Sequence, residues 1–286
     1  MPTAAASGSF MIGGDLAVHR LGFGAMRITG DGIWGPPADP ENAKAVLRRA
    51  VELGVDLIDT ADSYGPHISE ELIAEALYPY PDGLVIATKG GLERTGPGPD
   101  GWPVNGRPDH LRRACEGSLR RLRLKRIDLY QLHRPDPKVP YEESVGTLKE
   151  LRDEGKIRHI GVSNVDLLHL AAAQRVVEIA TVQNRYSIVD REWQDIVDTC
   201  ERQGLGFFPW RPVAAGDMRS EGPLREIADR HDATPFQIAI AWLLHASPVM
   251  LPIPGTQSLR HLEENVAAAE IELSEDELEQ LDALGS

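Results

Sequence analysis

The sequence predicts an α/β protein: a closed (β/α)8 TIM barrel with an N-terminal β-hairpin and an extra C-terminal helix. Three observations carry this reading. From residue 20 onward, eight short apolar runs alternate with amphipathic, well-capped segments. Nearly every run is apolar on both faces, as strands of a parallel sheet covered by helices must be. Several runs also stop abruptly at one polar side chain, which is how barrel strands deliver catalytic groups to one mouth. The runs are Arg20–Gly24, Val55–Asp59, Leu84–Thr88, Ile127–Leu132, Arg158–Val162, Ala180–Gln183, Gly206–Trp210 and Val249–Pro254. A doubly wound sheet is the competing architecture, but Gly22-Phe23-Gly24-Ala25-Met26 lacks the third glycine of a dinucleotide-binding turn.

The helices announce themselves through their ends. Asp39-Pro40 supplies an N-cap and a proline at the first helical position, Val46, Leu47, Ala50 and Val51 mark one face, and Gly54 stops the helix. Ser69 opens the next helix, with Leu72, Ile73, Ala76 and Leu77 inward. Asp109, Asp190 and Thr234-Pro235 repeat the start signal, and Gly155 and Gly204 repeat the stop. Phe10 to Val18, with Gly13-Gly14 at its centre, reads as a hairpin plugging the barrel base. Ser274 to Glu277 is a capping box that opens a last helix through Leu278, Leu281 and Leu284. The stretch Gly90 to Arg107 is rich in Gly and Pro, carries Trp102, and is too long for a routine connection.

Composition narrows the function classes. The 286 residues suit one barrel domain, 1–286, with no linker or repeat to divide it. A net charge of −14 disfavours a nucleic-acid or anionic-membrane surface. No apolar run reaches the length of a membrane span, and Met1 to Phe10 lacks the features of a signal peptide. Cys115 and Cys200 fall on apolar helix faces as buried thiols, so a cytoplasmic location is expected. The expected partner is a small molecule, and the expected state a monomer or weak homo-oligomer.

The polar groups at the run ends suggest a reaction. Asp59 closes the second run, with Tyr64 five residues on; Lys89 follows the third and His133 the fourth. A phenol has a pKa near 10, so as a general acid it needs help. The ammonium of Lys89 would lower that pKa, and Asp59 would hold Lys89 charged. His133 can donate a hydrogen bond to a substrate oxygen. This set suits protonating a carbonyl oxygen while hydride arrives at carbon. A metal-dependent barrel hydrolase would need several His or carboxylate ligands at strand ends; only Asp59 and His133 qualify, so no metal is expected.

In order and spacing, Asp59-Thr60-Ala61-Asp62-Ser63-Tyr64-Gly65, Ala87-Thr88-Lys89 and Leu132-His133 resemble the aldo-keto reductase family. The resemblance extends through Gly161-Val162-Ser163-Asn164, Val182 to Ser187, Ile253 to Ser258 and Glu264-Asn265. It implies NADPH/NADP+ as cofactor, Tyr64 as proton donor, Asp59 and Lys89 as its tuners, and His133 as the carbonyl-orienting group. Ser163, Asn164 and Gln183 would hold the nicotinamide carboxamide, whose donors and acceptor these side chains can match. Gly24, Ala25, Met26 and Asp59 would also border the cofactor. Gly255, Thr256, Ser258, Arg260, Glu264 and Asn265 would grip the adenosine 2′-phosphate, with Ser258 at a helix N-terminus. Where many members have Tyr-Ser-Pro-Leu, this chain has Trp210-Arg211-Pro212-Val213, so Trp210 would stack on the nicotinamide and Arg211 adds an unexpected cation. Within the family, Gly22 to Arg27, Lys89-Gly90-Gly91 and His133-Arg134-Pro135-Asp136 look most like bacterial enzymes that reduce pyridoxal to pyridoxine. Trp34, Trp102 and Arg134 would then line the substrate mouth, with the two tryptophans flanking a flat ring. A cofactor-sensing subunit with little turnover is the alternative.

Overall fold

The computed structural model describes residues 1–211 and 222–285. A two-stranded antiparallel hairpin comes first, β1 (Ser9–Ile12) against β2 (Leu16–His19). Seven parallel strands follow: β3 (Phe23–Gly24), β4 (Leu57–Asp59), β5 (Val85–Gly90), β6 (Ile127–Leu132), β7 (Ile157–Ser163), β8 (Thr181–Arg185) and β9 (Gly206–Trp210). They pair strictly in chain order, which is the order a barrel requires.

The eighth predicted run, Val249–Pro254, is not a regular strand, yet it sits where the eighth strand belongs. On one side Phe207 N–H donates to Val249 O and Leu251 N–H to Phe207 O; on the other Gly22 and Gly24 donate to the carbonyls of Pro252 and Pro254. The barrel therefore closes through this segment. Pro252 and Pro254 have no N–H to return to the first strand, so only half of the ladder on that side can form. The first run is shortened for the same reason, from the predicted Arg20–Gly24 to Phe23–Gly24.

Helices α1 (Pro40–Glu52), α2 (Ile68–Leu77), α3 (Pro108–Arg121), α4 (Tyr141–Asp153), α5 (Leu167–Val176) and α6 (Gln194–Gln203) separate the strands. Helices α7 (Pro223–Arg230), α8 (Pro235–Ala246), α9 (Leu259–Ala267) and α10 (Glu275–Asp282) complete the chain. Asp39 caps α1 by accepting from Asn42 N–H, and Gly54, Gly155 and Gly204 stand at positive φ after their helices, as predicted. The start signal at Asp190 misleads. Ser187 and Asp190 exchange backbone hydrogen bonds in a tight bridge, the Asp190 carboxylate takes Arg185 Nε at 2.7 Å, and α6 begins only at Gln194. Ser69 and Asp109 lie inside the first turns of α2 and α3 rather than capping them.

The barrel interior is filled from below. Ile12, Leu16 and Val18 of the hairpin pack with Leu57, Val85, Ala87, Leu129, Ala180, Phe208, Leu251 and Ile253 in one buried cluster. The hairpin is thus the expected plug, and the apolar floor confines polar chemistry to the other end. Both cysteines are free and buried, and burial pushes each thiol up to about 12. Among the described residues, no helix is long and apolar enough to cross a membrane.

Candidate active site

Side chains along a strand alternate between faces, so Leu57 and Asp59 of β4 point the same way into the barrel, as do Ala87 and Lys89 of β5. Asp59 is level with Ala87 in the register, and Lys89 with Gln131 of β6. The Lys89 ammonium therefore lies directly above the Asp59 carboxylate. Its Nζ donates to Asp59 Oδ2 at 2.6 Å, to Thr60 O at 2.8 Å and to Tyr64 Oη at 3.4 Å. The four groups are almost wholly enclosed, with Lys89 at 0%, Asp59 at 2%, Tyr64 at 6% and His133 at 8% exposure. An unpaired charge this deep would cost several kcal/mol; the ion pair and its further hydrogen bonds offset that cost.

The other Asp59 oxygen is occupied as well. Gln131 Nε2 and Gln183 Nε2 both donate to Oδ1, at 3.2 and 2.9 Å. Asp59 thus has fixed donors on both oxygens and cannot swing away from Lys89. Gln131 escaped sequence reasoning: it stands two residues before His133 inside an apolar run, and no spacing rule distinguishes it from a core filler.

Tyr64 lies between two rings that meet it edge-on, His133 at 5.9 Å and Trp102 at 6.4 Å between centroids. Burial raises the Tyr64 pKa above the ordinary phenol value; Lys89 pulls it down but is outweighed. The expectation of a lowered pKa is therefore corrected, because desolvation of the phenolate exceeds the attraction of one already-paired ammonium. Burial opposes the charge on Lys89, yet Asp59 wins and its pKa is raised. For His133 burial, then the positive charges of Lys89 and Arg134, push the pKa well below the usual histidine value. The ring is neutral at neutral pH, and its Nδ1 lies 3.5 Å from Ser63 Oγ.

The predicted carboxamide site is brought together at the adjoining strand ends. Ser163, level with Gln183, ends β7, and Asn164, at φ 58°, turns back so that its Nδ2 donates to His133 O at 3.0 Å and Ser163 Oγ at 2.9 Å. Trp210 ends β9, half-buried, with its buried Nε1 unpartnered among the described residues. Arg211 follows, exposed, at φ 54°. Pro212 and Val213 lie outside the described residues. Gly24 backs directly onto the Ile253–Gly255 backbone: a Cβ on it would lie 2.5 Å from Ile253 O. Ala25 and Met26 continue from it in a short 3-10 turn. Thr256 Oγ1 accepts from Ser258 N–H, and Ser258 caps α9 by accepting from His261 N–H. Arg260 is engaged with Glu264 at 2.8 Å and His261 at 2.9 Å, and Asn265 lies one residue further along α9.

The substrate side departs from expectation. Trp34 and Trp102 do not flank an open slot. The Arg94 guanidinium occupies the space between them, 3.5 Å from the Trp102 ring centre and 5.4 Å from that of Trp34. Sequence reasoning missed Arg94 because nothing in a Gly/Pro-rich loop marks one cation as structural. Arg134 is exposed beside His133.

A set of buried Asp, Lys and Tyr with a neutral His beside a ready amide-binding cluster can protonate a carbonyl next to a nicotinamide. Comparison with known proteins agrees. The model of the Aldo/keto reductase family matches residues 20–286. An uncharacterised oxidoreductase of Schizosaccharomyces pombe is 48% identical over 273 residues, covering 95% of this chain and 88% of that one. Pyridoxine 4-dehydrogenase of Escherichia coli is 41% identical over 279 residues, covering 95% and 96%. The crystal structure of an aldo-keto reductase from Klebsiella pneumoniae in complex with NADPH superposes with a TM-score of 0.81 at 30% identity, covering 99% and 95%. The chain belongs to the aldo/keto reductase family.

Proposed function

We propose that this chain reduces an aldehyde to its alcohol with NADPH, and that pyridoxal, reduced to pyridoxine, is among its substrates. The observation that carries the reading is the Lys89 ammonium held between Asp59 and the Tyr64 hydroxyl, at 2.6 and 3.4 Å, beside a neutral His133. Its support for pyridoxal is the relative named pyridoxine 4-dehydrogenase, matched over nearly the full length of both chains.

The residues fit a nicotinamide cofactor. Ser163, Asn164 and Gln183 would hold the carboxamide. Both N–H groups of the Asn164 amide are spent on His133 O and Ser163 Oγ, which leaves Asn164 Oδ1 to accept and the Ser163 hydroxyl to donate. Trp210 would cover the ring, and the α9 N-terminus capped by Ser258, with Arg260 and Asn265, would face the 2′-phosphate. When bound, NADPH supplies hydride to the carbonyl carbon.

Each further task falls to the chain. Were the Ser63 hydroxyl to donate to Nδ1, the His133 proton would stand on Nε2 and point a hydrogen bond at the substrate oxygen. Tyr64, neutral because its pKa is raised by burial, gives its proton to that oxygen as negative charge develops there. The resulting phenolate is stabilised by Lys89, which Asp59, Gln131 and Gln183 keep in place. Because the four groups are almost wholly enclosed, these charges are screened less than they would be in water.

The test is NADPH oxidation followed at its near-ultraviolet absorbance against pyridoxal, benzaldehyde and butanal. Turnover of pyridoxal with pyridoxine as product supports the reading. No oxidation with any aldehyde would overturn it.

A further inference from the structure

Arg94, in the loop 90–107, has a side chain that is entirely committed. Arg94 Nε donates to Gly101 O at 3.2 Å; Nη1 donates to Ile33 O at 2.8 Å and Ser63 O at 3.4 Å; Nη2 donates to Gly96 O at 2.9 Å and Gly32 O at 3.1 Å. A guanidinium has five N–H donors, and here each reaches a backbone carbonyl. The guanidinium carbon also lies 3.5 Å from the Trp102 ring centre and 5.4 Å from that of Trp34. These acceptors belong to three separate pieces of chain: the loop itself, the 31–35 turn, and Ser63 in the residue next to Tyr64.

The surroundings show that the join is built. Within the loop, Leu92 and Val104 form an antiparallel bridge, and Glu93, Thr95 and Asn105 N–H groups bond across it. Across the join, Ile33 is held at φ 57° and shares its carbonyl between Arg94 and Gly65 N–H. A β-branched residue in the left-handed region costs about 1 kcal/mol or more, and it persists only where its surroundings over-determine it. The result is that Trp102 stands fixed against the edge of Tyr64.

We infer that Arg94 is the specificity-determining residue of this mouth: it locks Trp102 as a rigid wall beside Tyr64, so that compact neutral ring aldehydes are admitted and bulkier ones refused. The size limit rests on the carbonyl-reductase reading above; the lock itself does not. Because all its donors are spent, Arg94 offers nothing to a substrate anion, and its role is to position Trp102. Lysine cannot replace it. An ammonium has three donors and no flat face, so it can reach neither the five carbonyls nor both rings.

The experiment compares wild type with Arg94→Lys and Arg94→Gln, each first shown to unfold at a normal temperature. Hydrogen exchange is followed in residues 91–105, and kcat and KM are measured for pyridoxal and 2-naphthaldehyde. Exchange in the loop should speed about tenfold or more in both variants while the barrel strands keep their protection. KM for pyridoxal should rise about tenfold, with kcat within about threefold, and the preference for pyridoxal over 2-naphthaldehyde should shrink by a similar factor. Unchanged loop exchange would overturn the lock. Faster exchange with an unchanged preference would overturn its part in specificity. Were the wild type to reduce neither aldehyde, the reductase reading and the size limit would both fall, and exchange alone would decide the lock.

Discussion

At the scale of single residues, Tyr64 is pulled two ways. Burial favours the neutral phenol and Lys89 favours the phenolate, and burial wins in the free protein. That balance suits reduction, where the phenol must hold its proton until charge appears on the substrate. Tyr64→Phe removes only the acid, so reduction should fall about 10²–10⁴-fold while NADPH affinity, read by fluorescence titration, stays near wild type. A variant retaining more than about a tenth of the wild-type rate on a chemistry-limited substrate would remove Tyr64 from the role. Lys89→Met takes away the charge that lowers the phenol pKa. The Tyr64 pKa then rises further, so the ascending limb of the pH–rate profile for alcohol oxidation should move to higher pH. Reduction should slow at every pH, because a weaker acid protonates less readily. The same variant leaves the Asp59 carboxylate buried without its counter-charge, a loss of about 3–5 kcal/mol in denaturant unfolding. An oxidation profile that did not move would break the proposed coupling. The gathering of Asp59, Tyr64, Lys89 and His133 at one place was legible because each follows an apolar run at a strand end. The direction of the Tyr64 shift was not, since it depends on enclosure by residues as distant in sequence as Trp102. Gln131 and Arg94 were illegible for a related reason: their importance lies in partners 72 and about 60 positions away.

At the scale of elements, the sequence reads well where a single local rule decides and poorly where two rules compete. Thr234-Pro235 is of the first kind. Thr234 accepts from Gln237 N–H, and the Gln237 side chain accepts in return from Thr234 N–H, completing a capping box on α8. This helix buries Ile238, Ala239, Ile240, Ala241, Trp242 and Leu243 against the barrel, so its first turn anchors a large apolar face. Thr234→Ala should cost about 1 kcal/mol in urea unfolding, within the usual range for a lost cap, with kcat unchanged. A loss below about 0.3 kcal/mol would show that packing alone holds the turn. Asp190 is of the second kind. An aspartate before a helical pattern is a start signal, but here Arg185 on the adjoining strand competes for the carboxylate and a tight bridge forms instead. Val249–Pro254 shows competition within one element. Its apolar pattern correctly places it in the barrel wall, while Pro252 and Pro254 withhold the donors that a regular ladder needs. The position of the strand was readable and its regularity was not.

At the scale of the whole molecule, the question is what the field of the protein does to a charged substrate. The net charge is −14, and a dianionic phosphate approaching any face must work against it. Among the described residues, the cations near the mouth are few. Lys89 is buried against Asp59 and Arg94 is spent on backbone carbonyls, while Arg134 and Arg211 are exposed and therefore well solvated. Exposed guanidinium groups attract weakly through water, on the order of 1 kcal/mol at contact distance and less in salt. The enclosed site beside Tyr64 adds the cost of stripping water from the phosphate. Pyridoxal should therefore outperform pyridoxal phosphate by about tenfold or more in kcat/KM, with most of the difference in KM. Salt supplies an independent signature. Screening shortens the reach of the overall field, so raising ionic strength from about 0.01 to 0.15 M contracts the Debye length from about 30 to 8 Å. The phosphate ester's KM should fall over that range while that of neutral pyridoxal stays level. If the ester instead bound best at low salt, a local attraction by Arg134 or Arg211 would outweigh the global repulsion. Arg134→Ala and Arg211→Ala would then identify which of the two recruits it.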